Sequence, residues 1–84
     1  MAERYTIPIN RKQGAVLSTL GCTVEEKANN YSYIGVEFAK DEEKKTVEEL
    51  IGKGLLVREA DKLIQTDLGK DVAFKFGATI LYED

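Results

Sequence analysis

The side chains that could do chemistry in this chain are few, and their spacing points away from catalysis. There is no His among the 84 residues, which removes Ser–His and Cys–His nucleophile pairs, His-ligated metals and the commonest general base at neutral pH. Carboxylates stand side by side at Glu25–Glu26 and Glu48–Glu49. Adjacent residues on a helix point in different directions, so neither pair makes a local acid–base couple. Gly52-Lys53-Gly54 is too short for a phosphate loop and has no strand before it. Cys22 stands alone, with Glu25 and Glu26 nearby in place of the cations that activate a thiolate. The expectation is a protein that is not an enzyme, with no catalytic residue, no metal and no cofactor.

The elements that position the remaining side chains follow from length and pattern. A chain of 84 residues is expected to be one domain spanning residues 1–84, because two halves would each be too small to bury a useful core. With 43% apolar and 32% charged residues it has the composition of a folded globular protein. No apolar run approaches the roughly 20 residues of a membrane helix. The opening MAERYTIPINRK is charged throughout and lacks a signal-peptide core, so a cytoplasmic location is expected. A lone Cys permits no internal disulfide.

In chain order, Tyr5, Ile7 and Ile9 alternate with Arg4, Thr6 and Pro8, predicting a strand over residues 4–9, placed at a sheet edge by Pro8. Asn10 and Gln13 have capping-box spacing before a helix over residues 11–20, whose apolar positions are Val16, Leu17 and Leu20. Thr23 and Glu26 form a second such pair ahead of a short helix. Over residues 31–38, Ile34, Val36 and Phe38 alternate with Tyr33, Gly35 and Glu37, while Ile34 and Phe38 also fit one helical face. The aromatic and β-branched content with Gly35 favours a strand.

From 41 to 53 the helical signal is clearer. Acids open the segment, Lys53 closes it before Gly54, and Val47, Leu50 and Ile51 form the buried stripe. Lys44–Glu48, Lys45–Glu49 and Glu49–Lys53 stand at i,i+4, worth roughly 0.2–0.5 kcal/mol each at most. Two short strands, 55–58 and 62–66, flank the polar turn Glu59-Ala60-Asp61, with Leu55 and Val57 as core positions. Thr66 caps a final helix with Leu68 and Val72 inward, and the shared parity of Phe76, Ala78, Ile80 and Tyr82 predicts a last strand beside Tyr5, Ile7 and Ile9.

The run EELIGKGLLVRE followed by KLIQTDLGKDVA resembles the second half of a bacterial or archaeal winged helix-turn-helix domain. The matching features lie within residues 46–72: Leu50 at the end of a helix, Lys53-Gly54-Leu55-Leu56, Arg58 on a strand, the turn at Glu59 to Lys62, and the Thr66-x-x-Gly69 helix start. The resemblance implies an α+β fold, a small winged-helix-like domain of three or four short helices with a β-hairpin wing, to which the strand signals at the termini would add. By position, the segment 41–53 corresponds to the family's recognition helix. It further implies double-stranded DNA as partner and transcription regulation as role, with Lys44, Lys45, Arg58 and Lys62 as phosphate contacts.

Charge is the first test of that implication, and it runs the other way. Residues 41–53 carry three Lys against five acids, a net of −2; residues 54–75 balance four against four, and the first 40 carry five basic and four acidic residues. Folding would have to gather Arg11, Lys12, Lys44, Lys45, Arg58 and Lys62 and place the acids elsewhere. The alternative on the same scaffold is a protein–protein interaction module or homodimer, using strand edges near Tyr5 and Tyr82 or the acidic helix. The four Tyr could also stack on bases, although small α+β domains commonly carry Tyr at the edge of the core.

Overall fold

Two capping boxes set the first two helices. The Asn10 side chain accepts from the Gln13 amide at 2.8 Å, and Gln13 Oε1 accepts from the Asn10 amide at 3.1 Å. Thr23 and Glu26 repeat the exchange at 3.1 and 2.7 Å. Both pairs supply acceptors to amides that a helix start leaves free. The computed structural model describes residues 7–82, with side chains described to residue 78. Its elements are α1 (Arg11–Ser18), α2 (Val24–Ile34), α3 (Glu42–Gly52), β1 (Leu56–Glu59), β2 (Lys62–Gln65) and α4 (Asp67–Tyr82).

The segment predicted as a strand over residues 31–38 is the end of α2 and the link that follows. Gly35 takes a left-handed φ of 79°. Its amide donates to Ser32 O at 3.1 Å, and the Val36 amide donates to Tyr31 O at 2.8 Å. These two bonds close the last turn in the way a left-handed Gly allows. Val36 then re-enters the core, 7% exposed, beside Ile34.

α3 closes by the same device. Gly54 has φ 79°, its amide reaches Ile51 O at 3.0 Å, and the Leu55 amide reaches Leu50 O at 3.0 Å. Leu50 and Leu55, the two residues such a closure brings into contact, are both fully buried. At the other end Asp41 sits at φ 66° and makes no side-chain cap. The Glu42 carboxylate instead reaches back to accept the Ala39 amide, ahead of the helix, at 2.8 Å.

β1 and β2 form an antiparallel hairpin in the register Leu56↔Gln65, Val57↔Ile64, Arg58↔Leu63, Glu59↔Lys62. Val57, expected in the core, is exposed opposite the exposed Ile64. The strand starts one residue later than expected, at Leu56, so alternation turns Leu56 inward and Val57 out.

The predicted C-terminal strand is instead the second half of α4, which runs without a break to Tyr82. Leu68, Val72 and Phe76 recur every four residues along its inner face, and all three pack into the core. No strand edge therefore exists at Tyr82. Of the predicted N-terminal strand, residues 4–6 with Tyr5 lie outside the described residues. Ile7, Pro8 and Ile9 are not in a strand, although Ile7 and Ile9 pack against the core.

Val16 and Leu17 of α1, Leu50 of α3, Leu55 and Leu56 at the hairpin base and Val72 of α4 form the main core. Each buried Leu stabilises the fold by about 1.5–3 kcal/mol relative to exposure. Ala15, Ile34, Val36 and Phe76 form a second cluster between α1, α2 and α4. The order of three helices, hairpin and helix is that of a small α+β domain, compatible with a winged-helix-like arrangement.

Candidate nucleic-acid interface

Four of the residues that the winged-helix resemblance singled out, Gly54, Leu55, Thr66 and Gly69, meet at a joint between α3, the hairpin and α4. The Thr66 amide donates to Leu55 O at 3.1 Å. Its hydroxyl donates to Gly54 O at 2.8 Å and accepts from the Gly69 amide at 2.9 Å. Gly69 lies so close to the Leu55 carbonyl that a Cβ there would collide with backbone. Three short elements are thereby fixed at one point, and this sets the angle at which the hairpin leaves α3.

Between α3 and the hairpin lies an open groove of about 300 Å³ lined by Lys44, Lys45, Val47, Glu48, Arg58 and Leu63. Val47 and Leu63 give it an apolar floor. Three of the four sequence-predicted contacts, Lys44, Lys45 and Arg58, are brought together there. Lys62 is not among the lining residues; it stands exposed beside the hairpin turn, opposite Glu59. Arg58 Nη2 donates across the groove to Glu48 Oε2 at 2.7 Å. With three cations and one carboxylate, the lining has a net charge of +2.

The acids of α3 are taken up by neighbouring elements. Lys12 Nζ donates to Glu42 at 2.6 Å, Tyr31 Oη to Glu43 at 2.7 Å, and Gln13 Nε2 to Glu49 at 3.1 Å. Glu48 takes Arg58. The expected i,i+4 pairs on α3 are therefore replaced by bonds to α1, α2 and the hairpin. Lys53 likewise donates to Pro8 O at 2.6 Å and to Gln13 Oε1 at 3.1 Å. Among the described residues neither Lys44 nor Lys45 forms an ion pair. Arg11 and Lys12 do not join the groove: Arg11 donates to Ile34 O at 3.1 Å at the end of α2, and Lys12 lies over the Phe38 ring.

Two ionisable groups at the contacts of α3 with α1 and α2 are shifted from their ordinary values. The hydrogen bond from Lys12 and the Ala39 amide hold the Glu42 carboxyl below the usual carboxylate range. Partial burial, reinforced by the Glu43 carboxylate, pushes the Tyr31 phenol up to about 12, against the opposing hydrogen bond with Thr19. The Tyr31 ring is tilted against Phe38 with centroids 4.9 Å apart, which leaves it poorly placed to stack on a base. A smaller groove of about 240 Å³, lined by Val24, Lys27, Ala28, Tyr31 and Glu43, offers a single cation.

Sequence reasoning missed Val47, Glu48 and Leu63 as lining residues. Leu63 was within reach, because a two-residue turn at Ala60-Asp61 places it opposite Arg58. Glu48 was not, since its spacing from Lys44 suits an intrahelical pair equally well. Among the described residues no helix is long and apolar enough to cross a membrane, and no three His, Cys, Asp or Glu side chains are grouped to hold a metal ion. Comparison with protein-family models, with curated proteins and with solved structures finds no match to this chain.

Proposed function

We propose that this chain is a small winged-helix type DNA-binding protein with a role in transcription regulation. It would present α3 to the duplex and receive a phosphodiester strand in the groove between α3 and the hairpin. Lys44, Lys45 and Arg58 would contact phosphates there, and Lys62 would reach the backbone from the hairpin tip. The observation that supports this most is the division of charge on α3: Glu42, Glu43 and Glu49 are bonded to α1 and α2, while Lys44 and Lys45 line the groove and form no ion pair among the described residues. Phosphate neutralisation is the main source of affinity in such contacts.

The test is a salt titration of binding to mixed-sequence duplex DNA, comparing wild type with Lys44→Ala/Lys45→Ala. Binding should weaken as salt rises, and the double substitution should lower the slope of log K against log salt by about two, at roughly 0.9 per phosphate. Absence of salt-dependent binding at low ionic strength would overturn the reading.

A second reading, a protein interaction module or homodimer, has one observation in its favour. Phe74 on α4 is 76% exposed, a large apolar side chain left in water on a helix whose opposite face packs into the core through Leu68, Val72 and Phe76. Concentration-independent monomeric behaviour in sedimentation, unchanged by Phe74→Glu, would count against the homodimer.

A further inference from the structure

The groove that would hold a phosphate already holds a carboxylate. Glu48 Oε2 sits 2.7 Å from Arg58 Nη2, the distance at which a phosphate oxygen would bind the same donor. Both side chains are more than half exposed, at 61% and 54%, so the pair is open to exchange with a ligand. The other three acids of α3, Glu42, Glu43 and Glu49, are bonded to partners elsewhere in the fold; of the four, Glu48 alone lines the groove.

We infer that Glu48 is an internal competitor for the phosphate, holding Arg58 in the free protein and yielding it when a phosphodiester strand enters the groove. The inference rests on the DNA-binding reading above and adds to it a residue that sets affinity. In the free state the Glu48–Arg58 bond spans the groove, with Lys44 and Lys45 beside it. Binding replaces a carboxylate by a phosphate on the same guanidinium, so Arg58 contributes the difference between two similar bonds. Glu48 is then left near the entering strand as a repulsive charge. Both effects lower affinity for any duplex without regard to sequence, and both weaken as salt screens them.

The experiment measures binding to mixed-sequence duplex DNA across a range of salt for wild type, Glu48→Gln, Glu59→Gln, Arg58→Ala and Arg58→Ala/Glu48→Gln. Glu59→Gln removes the same charge from the neighbouring hairpin position, which does not line the groove. Glu48→Gln should tighten binding about three- to tenfold at low salt, a range set by the modest strength of exposed ion pairs plus one removed repulsion. It should do so more than Glu59→Gln, and the gain should be clearly smaller in the Arg58→Ala background, where only the relief of repulsion remains. Equal gains from Glu48→Gln and Glu59→Gln, or the same gain with and without Arg58, would show a general charge effect and overturn the inference while leaving the DNA reading standing. If neither wild type nor Glu48→Gln binds at low salt, the DNA reading fails and takes the inference with it.

Discussion

The carbonyl oxygen of Leu55 occupies the space that a Cβ on Gly69 would need. This one approach brings the first turn of α4 onto the base of the hairpin, and it explains why a Thr-x-x-Gly helix start follows the strands. Gly69→Ala should destabilise the domain by roughly 1–3 kcal/mol, the usual range for overpacking, since the obstacle is backbone. Gly77→Ala, in the same helix with nothing near its missing Cβ, should instead stabilise by up to about 1 kcal/mol through helix propensity. Urea unfolding of the two variants checks the opposite signs.

Gly14 makes a comparable approach inside α1. A Cβ there would run into the buried Phe76 ring. Helix propensity alone would make Gly14→Ala favourable, but the clash outweighs it, and a net loss of about 1–2 kcal/mol is expected. Because the obstacle is a side chain, Phe76→Leu should recover part of the loss when the two are combined. The double-mutant cycle should therefore be non-additive.

Ala60, the first residue of the two-residue hairpin turn, has φ 53°. An L-residue in the left-handed region is strained by roughly 1–2 kcal/mol, and a Gly is relieved of that strain while giving up roughly 0.4–1 kcal/mol to its freer unfolded chain. Ala60→Gly should leave a net gain of about 0.5–1 kcal/mol, read as a higher denaturation midpoint with an unchanged m-value.

The pH dependence should have two limbs, one traceable to Tyr31 of α2 and one to Glu42 of α3. Tyr31 has its pKa raised from 10.0 to about 12, so its contribution is complete below pH 10 and is lost as pH rises through 12. A late-ionising tyrosine should be visible in the tyrosinate absorbance and disappear in Tyr31→Phe. Glu42 is shifted the other way, below the ordinary carboxylate value, by its bonds from Lys12 and the Ala39 amide. Its contribution is present above that value and is lost as pH falls through the lowered pKa. Glu42→Gln should make the acid limb of the unfolding midpoint shallower.

Where sequence reading succeeded, two independent signals agreed. Asn10 with Gln13 starts α1 and Thr23 with Glu26 starts α2; Gly54 ends α3, and the apolar stripe of Val47, Leu50 and Ile51 faces the core. It failed where one pattern served two periods. Leu68, Val72 and Phe76 lie four apart, and any set spaced by four also shares the parity of a strand, so the run to Tyr82 reads both ways. Residues 31–38 are helical through Ile34 and in no regular element from Val36 to Phe38, with Gly35 as the boundary. In the site, cations were legible as cations. That Glu42, Glu43 and Glu49 would be drawn to α1 and α2 depends on the packing of three helices, which no local spacing encodes.

The Thr66 hydroxyl, bonded at once to the end of one helix region and the start of another, makes the hairpin a detachable cassette. Its base is pinned at Gly54, Leu55 and Thr66, so changes in length at Ala60-Asp61 should not propagate into the helices. Lengthening such a loop costs only about 0.6 kcal/mol per doubling. A sequence drifting under selection could thus vary the tip freely, and with it the reach of the hairpin, while the socket that seats it stays as it is.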